Sequence, residues 1–513
     1  MAVPVEKEEA AANTQAPTQT TPPNLLSAPP SRFEKPAGVN TTNFPGHANP
    51  PLPIEGNGYF SNAQFIALII AVPYLLKRLI PYFNTGFKTY VFLFILTGPF
   101  SAIAYWTVMS TYGPRKNDKV ALPNRPIEEY LDIKDPEMKQ HFHGHNKINY
   151  QQFHDAYFEG KIDVKGDMLD TLEYRHDWAT FNFTPKLFKY VVFKMLPDVI
   201  FHSQSQDEDQ IQDVYDRGDD FYEWFLGPRM VYTSGMVRDT TRAETLEELQ
   251  DNKLSMVCEK LDLQKGDRML DVGCGWGTLA AFAAKNFDAD VTGITLSKNQ
   301  AAFGNERIAK NGISSEQARV LNKDYRDIPR NTFNKISCLE MAEHVGIRRY
   351  ASFLNDIYNL LDDDGVMVFQ VAGLRPHWQY EDLVWGLFMN EYIFPGADAS
   401  CSLGWVVNQL ENAGFEVKSI DVLGVHYSVT ILRWYNNWIA NKDKVIEKYG
   451  EKWFRIWTFF LASSIIIARN GGSSVFQITV HKNLNATRRV DGIASHHAPM
   501  NRFKPSYASV ASE

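Results

Sequence analysis

Eight residues, Leu270 to Gly277 (LDVGCGWG), hold three glycines at alternate positions, Gly273, Gly275 and Gly277. A short apolar run, Met269, Leu270 and Val272, precedes the turn, and a helix-compatible run, Thr278 to Lys285, follows it. Strand, glycine turn and helix let a ligand approach main chain that side chains would otherwise shield. The spacing is G-x-G-x-G, distinct from the G-x-G-x-x-G of dinucleotide binders and the G-x-x-x-x-G-K of phosphate loops. Asp271 would repel a pyrophosphate and suits a ligand carrying an amine or another positive charge. Alone, such a turn is also what a purely structural loop looks like. The stretches downstream argue against that.

The elements that must position this turn are regular from Leu246 onward. A helix is predicted over Leu246–Leu261, and strands over Arg268–Val272, Ala289–Thr295, Ala318–Asp324, Lys335–Met341 and Gly365–Ala372. A helix over Ser297–Asn311 joins the second strand to the third, and Leu361–Gly365 (LDDDG) reads as a turn before the fifth. A helix at Leu403–Ala413 leads to strands at Glu416–Leu423 and Val475–His481, with a long helical piece, His426–Asn470, between them. This alternation predicts an α/β fold with a doubly wound parallel sheet and ligands at the strand carboxyl ends. The count of about seven strands is similar to the sheet of class I S-adenosylmethionine-dependent methyltransferases. GITLSKNQ (Gly293–Gln300) follows the second strand, where Thr295 and Gln300 can bond ribose hydroxyls. KDYRD (Lys323–Asp327) follows the third, where Asp324 can accept from an adenine amine and Tyr325 or Arg326 can cover the ring. EMAEHVG (Glu340–Gly346) ends the fourth, facing the methyl donor and the substrate.

Together LDVGCGWG, TLSKNQ, DYRD and MAEHVG resemble the cyclopropane-fatty-acid and mycolic-acid synthase family, over roughly Tyr232 to His481. The resemblance implies S-adenosylmethionine as cofactor. It assigns Tyr232 and Thr233 (YTSGMV) to an upstream donor-contacting pair. Leu270, Asp271, Val272, Gly273, Cys274, Gly275, Trp276 and Gly277 go to the methionine part. Thr295, Leu296, Ser297, Lys298, Asn299 and Gln300 go to the ribose, and Asp324, Tyr325 and Arg326 to the adenine. Glu343 matches a carboxylate that in the family helps to hold a bicarbonate ion acting as base, and Tyr427 (GVHYSVT) a tyrosine of the same site. Two positions depart from the bacterial pattern: Ser234 stands where those synthases carry a cysteine, and Gln370 (VFQVAG) where they carry a histidine. Both can hydrogen-bond, but neither reproduces the family's anion site. Ser464 likewise replaces a bacterial cysteine, which argues against a thiol nucleophile. The catalytic set expected is Glu343, Tyr427 and Gln370, with His344 as an alternative base.

The chemistry this implies is attack of an unactivated alkene on a sulfonium methyl, giving a carbocation that must be shielded from water and relieved of one proton. Trp385, Phe388, Tyr392 and Phe394 offer π faces to such a cation, ordinary packing being the competing reading. Trp434, Tyr435, Trp438, Trp453, Phe454, Trp457, Phe459 and Phe460 would form a helical core cap that, beside the cofactor cleft, also lines a long apolar channel.

The 513 residues carry a net charge of −8, which argues against nonspecific nucleic-acid binding. Four cysteines lack the spacing of a zinc site or a disulfide framework, and the alternate His141, His143 and His145 read as a loop, so no metal is expected. Residues 1–58 and 483–513 read as a disordered leader and tail. Phe60–Leu76 and Tyr90–Ser110 are apolar enough to be two transmembrane helices within 59–112, so that the protein is a multi-pass membrane enzyme. Residues 113–231 read as a linker and membrane-facing helical region before a catalytic domain at 232–482. The leader and the apolar pair most resemble those of fungal sphingolipid 9-methyltransferases. That implies methyl transfer to carbon 9 of the sphingoid base of glucosylceramide, by an endomembrane enzyme facing the cytosol. A cyclopropane synthase acting on phospholipid acyl chains is the alternative.

Overall fold

Seven strands form one sheet: β1 (Arg268–Val272), β2 (Asp290–Thr295), β3 (Ala318–Asn322), β4 (Phe333–Leu339), β5 (Leu361–Leu374), β6 (Phe415–Val422) and β7 (Ser473–Lys482). The computed structural model describes residues 22, 25–33, 44–47, 60–113, 122–195, 217–330, 332–397 and 400–484; most of the expected leader and nearly all of the expected tail lie outside the described residues. Strand order is β6-β7-β5-β4-β1-β2-β3. Met269, Leu270, Val291, Ile336, Met367 and Val368 are all buried, as central strands covered by helices on both faces require. The order reverses between β4 and β1, so the crevice at their carboxyl ends is the natural ligand site.

The expected strands lie within about two residues of the observed ones, with two differences. β7 runs antiparallel to both β5 and β6, so the sheet is mixed rather than wholly parallel. Val422 at the end of β6 faces Phe476 near the start of β7, so the intervening helices leave and return at one edge and the chain must run back. The acidic turn Leu361–Gly365 lies inside β5 as an irregularity, the register jumping from Phe333↔Leu361 to Lys335↔Val366.

Two helices precede the sheet domain. α1 (Asn62–Leu79, 18 residues) and α2 (Phe87–Tyr112, 26 residues) contain one proline each, Pro73 and Pro99. At 1.5 Å per residue they are about 27 and about 39 Å long, against a hydrocarbon core of about 30 Å. Both are long and apolar enough to cross a membrane, and most of their surface is exposed, Leu79 at 75% and Phe100 at 70%. They form an antiparallel hairpin: Tyr105 Oη donates to Ser61 O (3.3 Å) and Tyr90 Oη to Ile70 O (3.3 Å). Its two chain ends dock on the body. Phe60 N donates to Trp378 O (2.7 Å), and Trp106 Nε1 to Phe181 O (3.0 Å).

Helices α3 (Leu246–Lys260), α4 (Thr278–Phe287) and α5 (Lys298–Lys310) flank β1 and β2. α3 opens on a capping box between Thr245 and Glu248. α6 (Gly424–Ala440), α7 (Lys442–Tyr449) and α8 (Glu451–Arg469) make up the long insertion before β7. Their aromatics Trp434, Trp438, Trp457 and Phe459 are buried in one core with Tyr150, Phe153 and Trp178 from residues 122–195. Two stretches of the expected leader lie on this cap. Asn436 Nδ2 donates to Leu25 O and Ser27 O (2.8 and 2.9 Å), and an Arg433 nitrogen to Gly46 O (2.5 Å).

Candidate active site

The glycine turn after β1 is locked by two main-chain bonds, Gly273 N and Cys274 N both donating to Ile294 O at 3.0 Å. Gly275 (φ +53°) borders an open cavity, and a β-carbon there would meet nothing within 4 Å. Gly277 (φ +71°) does different work: a β-carbon there would sit 2.9 Å from Gly304 Cα, so this glycine lets α4 pack on α5. Of the donor-site residues expected from sequence, Tyr232, Thr233, Asp271, Val272, Gly273, Cys274, Gly275, Trp276, Thr295, Leu296, Gln300, Asp324, Tyr325 and Arg326 line this cavity. Leu270, Gly277 and Ser297 do not. Leu270 is in the core, and the Ser297 hydroxyl caps α5 by accepting from Gln300 N (3.2 Å). Lys298 and Asn299 are exposed and lie outside the lining.

The cavity's chemistry fits S-adenosylmethionine. Its amino-acid end carries both charges, and the cavity offers both. Burial pushes Asp271 up to about 6, with the Ser337 hydroxyl donating to Oδ1 (2.6 Å) and Lys253 opposing the shift. Burial pushes Lys253 down to about 8 while the Glu340 and Asp271 carboxylates hold it up; its Nζ donates to Thr233 Oγ1 (2.7 Å). At pH 7 both therefore remain mostly charged. Lys253 was not singled out from the sequence, because a lysine in an amphipathic helix reads as solvent-facing. Thr295 Oγ1 and Gln300 Oε1 are 2.7 Å apart, as a pair of hydroxyl-binding groups would be. The adenine-side expectation changes in detail: the Arg326 guanidinium grips Asp324 through Nε at 2.7 Å, so Arg326 is tied to the carboxylate, and Tyr325 packs edge-on against Phe353.

Two of the three residues expected to be catalytic, Gln370 and Tyr427, meet at a carboxylate other than Glu343. Ser234 N and Gln370 Nε2 both donate to Glu340 Oε1, at 3.0 and 2.5 Å, and the Tyr427 hydroxyl also bonds the Glu340 carboxylate. Gln370 is oriented from behind. Gln477 Nε2 donates to Gln370 Oε1 (2.8 Å), and Lys260 Nζ donates to Gln477 Oε1 (2.6 Å). This relay fixes which end of the Gln370 amide faces the carboxylate. Glu340 lines the donor cavity and holds a left-handed backbone, φ +55°. Burial raises its pKa above the usual carboxylate range, with its hydrogen-bond donors and Lys253 pulling the other way.

Glu343 is placed differently. Its Oε1 accepts from Ala372 N (2.5 Å), its Oε2 has no hydrogen-bond partner, and it is absent from the donor-cavity lining. Burial, then the neighbouring Glu340 charge, push it up to about 8, so at pH 7 it is mostly neutral. His344 lines the cavity, but burial lowers it to about 4, leaving a neutral ring 6.0 Å from Phe394. Ser234 and Gln370, the two positions that depart from the bacterial pattern, both bond Glu340.

Beside the donor cavity lies a second cavity of about 940 Å³, near the upper end for ligand sites. Val345 and Arg349 line both. Its walls include Phe65 and Ile69 of α1, Gly98, Ala102 and Trp106 of α2, and Trp385 and Phe394. The aromatic cap of α6–α8 contributes nothing to that lining, so the expected channel is walled by the membrane-type hairpin instead. Phe388 and Tyr392 stack on each other at 5.6 Å outside it, and Tyr392 Oη donates to Asp155 Oδ1 (2.8 Å).

Known proteins share this architecture. The family model of the mycolic acid cyclopropane synthetases matches residues 202–478. A sphingolipid C9-methyltransferase of Komagataella phaffii is 54% identical over 475 residues, 91% of this chain and 96% of that one. Sphingolipid C9-methyltransferase 2 of Gibberella zeae is 55% identical over 460 residues, 89% of this chain and 88% of that one. The crystal structure of the mycolic acid cyclopropane synthase CmaA1 complexed with SAH and CTAB superposes with a TM-score of 0.50 at 30% identity, covering 54% of this chain and 98% of that one. The chain therefore belongs to the mycolic acid cyclopropane synthetase family, in the group that holds the sphingolipid C9-methyltransferases.

Proposed function

We propose that this enzyme transfers a methyl group from S-adenosylmethionine to carbon 9 of the sphingoid base of glucosylceramide, giving a methyl-branched alkene. One observation carries the reading: the donor cavity and the 940 Å³ apolar cavity meet at Val345 and Arg349, and the second is walled by helices long enough to cross a bilayer. The relatives' names supply the carbon and the lipid class.

The bound donor supplies an electrophilic sulfonium methyl. Asp271 and Lys253 hold its amino-acid end, Thr295 and Gln300 its ribose, and Asp324 with Tyr325 its base. The apolar walls exclude water that would otherwise capture the carbocation, and Phe394, near the junction, offers it a π face. Gln370 and Tyr427 hold the proton-accepting centre in place. Glu343, mostly neutral at pH 7, adds little second negative charge beside it.

Both hairpin helices cross an endomembrane, with the catalytic body on the cytosolic face. That both helices return to one side of the membrane is supported by the docking of both hairpin ends, Phe60 and Trp106, on the same body. A lipid then passes from the bilayer into the cavity beside α2 without entering water.

The test uses the full chain in nanodiscs, glucosylceramide with an unsaturated sphingoid base, and a trideuteromethyl donor. Lipid mass spectrometry should find three deuteriums on the sphingoid fragment with its double bonds kept. Two deuteriums and one lost unsaturation, on phospholipid acyl chains, would instead mean a cyclopropane synthase.

A further inference from the structure

We propose that the Glu340 carboxylate is itself the base of the reaction, a side chain standing where the family's pattern provides for a free bicarbonate ion. The proposal rests on the methyl-transfer reading above and names the group that completes it.

Three donors from three separate parts of the chain meet at this carboxylate: the Ser234 main-chain N–H, the Gln370 amide and the Tyr427 hydroxyl. Such a set of donors is what a small oxyanion needs, and here the chain supplies the oxyanion. A further anion would have to sit against a buried carboxylate with Glu343 close by, so the residues present do not fit bicarbonate. Ser234 contributes its backbone; its hydroxyl donates to Gly235 O (2.9 Å), so no cysteine is required there. Gln370 puts a side chain that stays neutral where the family carries one that changes charge, and the Gln477 and Lys260 relay, by bonding its oxygen, keeps its N–H aimed at Glu340.

The backbone supplies an independent sign. Glu340 carries a β-carbon at φ +55°, a conformation that favours glycine, directly after β4. Its main chain is pinned there by Glu340 N donating to Gln370 O (2.7 Å). Strained residues of this kind cluster where geometry serves function. Burial raises Glu340's proton affinity, which suits a base working near neutrality.

The π electrons of the sphingoid alkene form the new carbon–carbon bond as the sulfur–methyl bond breaks, and sulfur keeps that pair. The neighbouring carbon becomes a cation. A Glu340 oxygen takes the proton from the methyl-bearing carbon, and the freed C–H pair restores the double bond. Glu340, now a neutral acid, returns the proton to water after the lipid leaves.

The test has two arms, both on the full chain in nanodiscs. In carbon-dioxide-depleted buffer, wild-type turnover should be unchanged by added bicarbonate. Glu340→Gln should slow it by about 10² to 10⁴-fold, the usual contribution of a general base, while S-adenosylhomocysteine binding stays intact. Glu340→Gly should be as slow and should recover at least about tenfold with bicarbonate or formate, whose oxyanions fill the emptied cradle. Wild-type turnover that collapses without bicarbonate and returns with it would overturn the proposal, as would Glu340→Gln retaining turnover within a few-fold. The second arm needs no lipid: ¹³C-bicarbonate, followed by NMR, should bind Glu340→Gly and not the wild type. Binding to the wild type in this cradle would overturn the proposal. If the wild type methylates no sphingolipid, the function reading fails, and this second arm still decides the role of the cradle.

Discussion

Gln477→Leu should slow turnover without touching the donor or the lipid. Gln477 and Gln370 are both 0% exposed, and Gln477 Nε2 donates to Gln370 Oε1 (2.8 Å). A leucine of similar volume removes that donor and leaves Lys260 Nζ with Asp421 as its remaining partner. The Gln370 amide then loses the donor that orients it from behind and can turn its nitrogen off Glu340. A hydrogen bond to a charged group contributes about 1.5–3 kcal/mol. At 1.36 kcal/mol per tenfold, losing it costs about 10 to 150-fold in kcat. Because the Gln370 bond lowers the Glu340 pKa, its loss should also move the acid limb of the kcat profile to higher pH. Glu343, Lys253 and Tyr427 also act on Glu340 and are unchanged by this substitution. The assay is labelled-methyl turnover against pH, with S-adenosylhomocysteine affinity measured alongside. Turnover within about threefold of wild type, or an equal loss of donor affinity, would refute the reasoning.

Other perturbations separate the donor cavity, the lipid cavity and stability. Asp271 is pushed from 3.8 to about 6 by burial, so its ionised form is disfavoured in the fold. That cost is absent below pH 4 and complete above about pH 7, so Asp271→Asn should stabilise the ligand-free protein by up to about 3 kcal/mol at pH 7.5. Calorimetry should show the rise in Tm, and titration should show weaker donor binding. Lys253→Met should weaken S-adenosylhomocysteine binding by about 10 to 150-fold, the range for one charge-assisted bond, with lipid KM unchanged. A β-carbon at Gly98 would meet nothing within 4 Å, so Gly98→Leu should extend into the lipid cavity without strain in α2. It should raise the sphingolipid KM and leave donor affinity alone, as kinetics in nanodiscs will show.

The sheet was legible because its strands are short apolar runs bounded by turn residues, and the glycine turn because its spacing is strict. The reversed last strand was not. Direction is set by where α6–α8 leave and return, which no local pattern records. The sequence points to Gln370 and Tyr427 beside Glu343, whereas in the fold both side chains bond Glu340. The two glutamates of one four-residue segment, EMAE, differ by which way each side chain turns after β4, and the left-handed φ of Glu340 has no sequence signature. The aromatics of α6–α8 were read as a channel wall because their partners, Tyr150, Phe153 and Trp178, lie far away in the chain. The true wall depends on contacts such as Phe60 N to Trp378 O, which join distant segments.

The central claim is that the proton leaves from the carbon that receives the methyl group. The most direct measurement gives the enzyme a sphingolipid deuterated at carbon 9 and a ¹³C-methyl donor, and reads the product by mass spectrometry. The expected product carries one ¹³C, no deuterium and an intact double bond. A product that keeps its deuterium and loses the double bond would mean ring closure, and would contradict it.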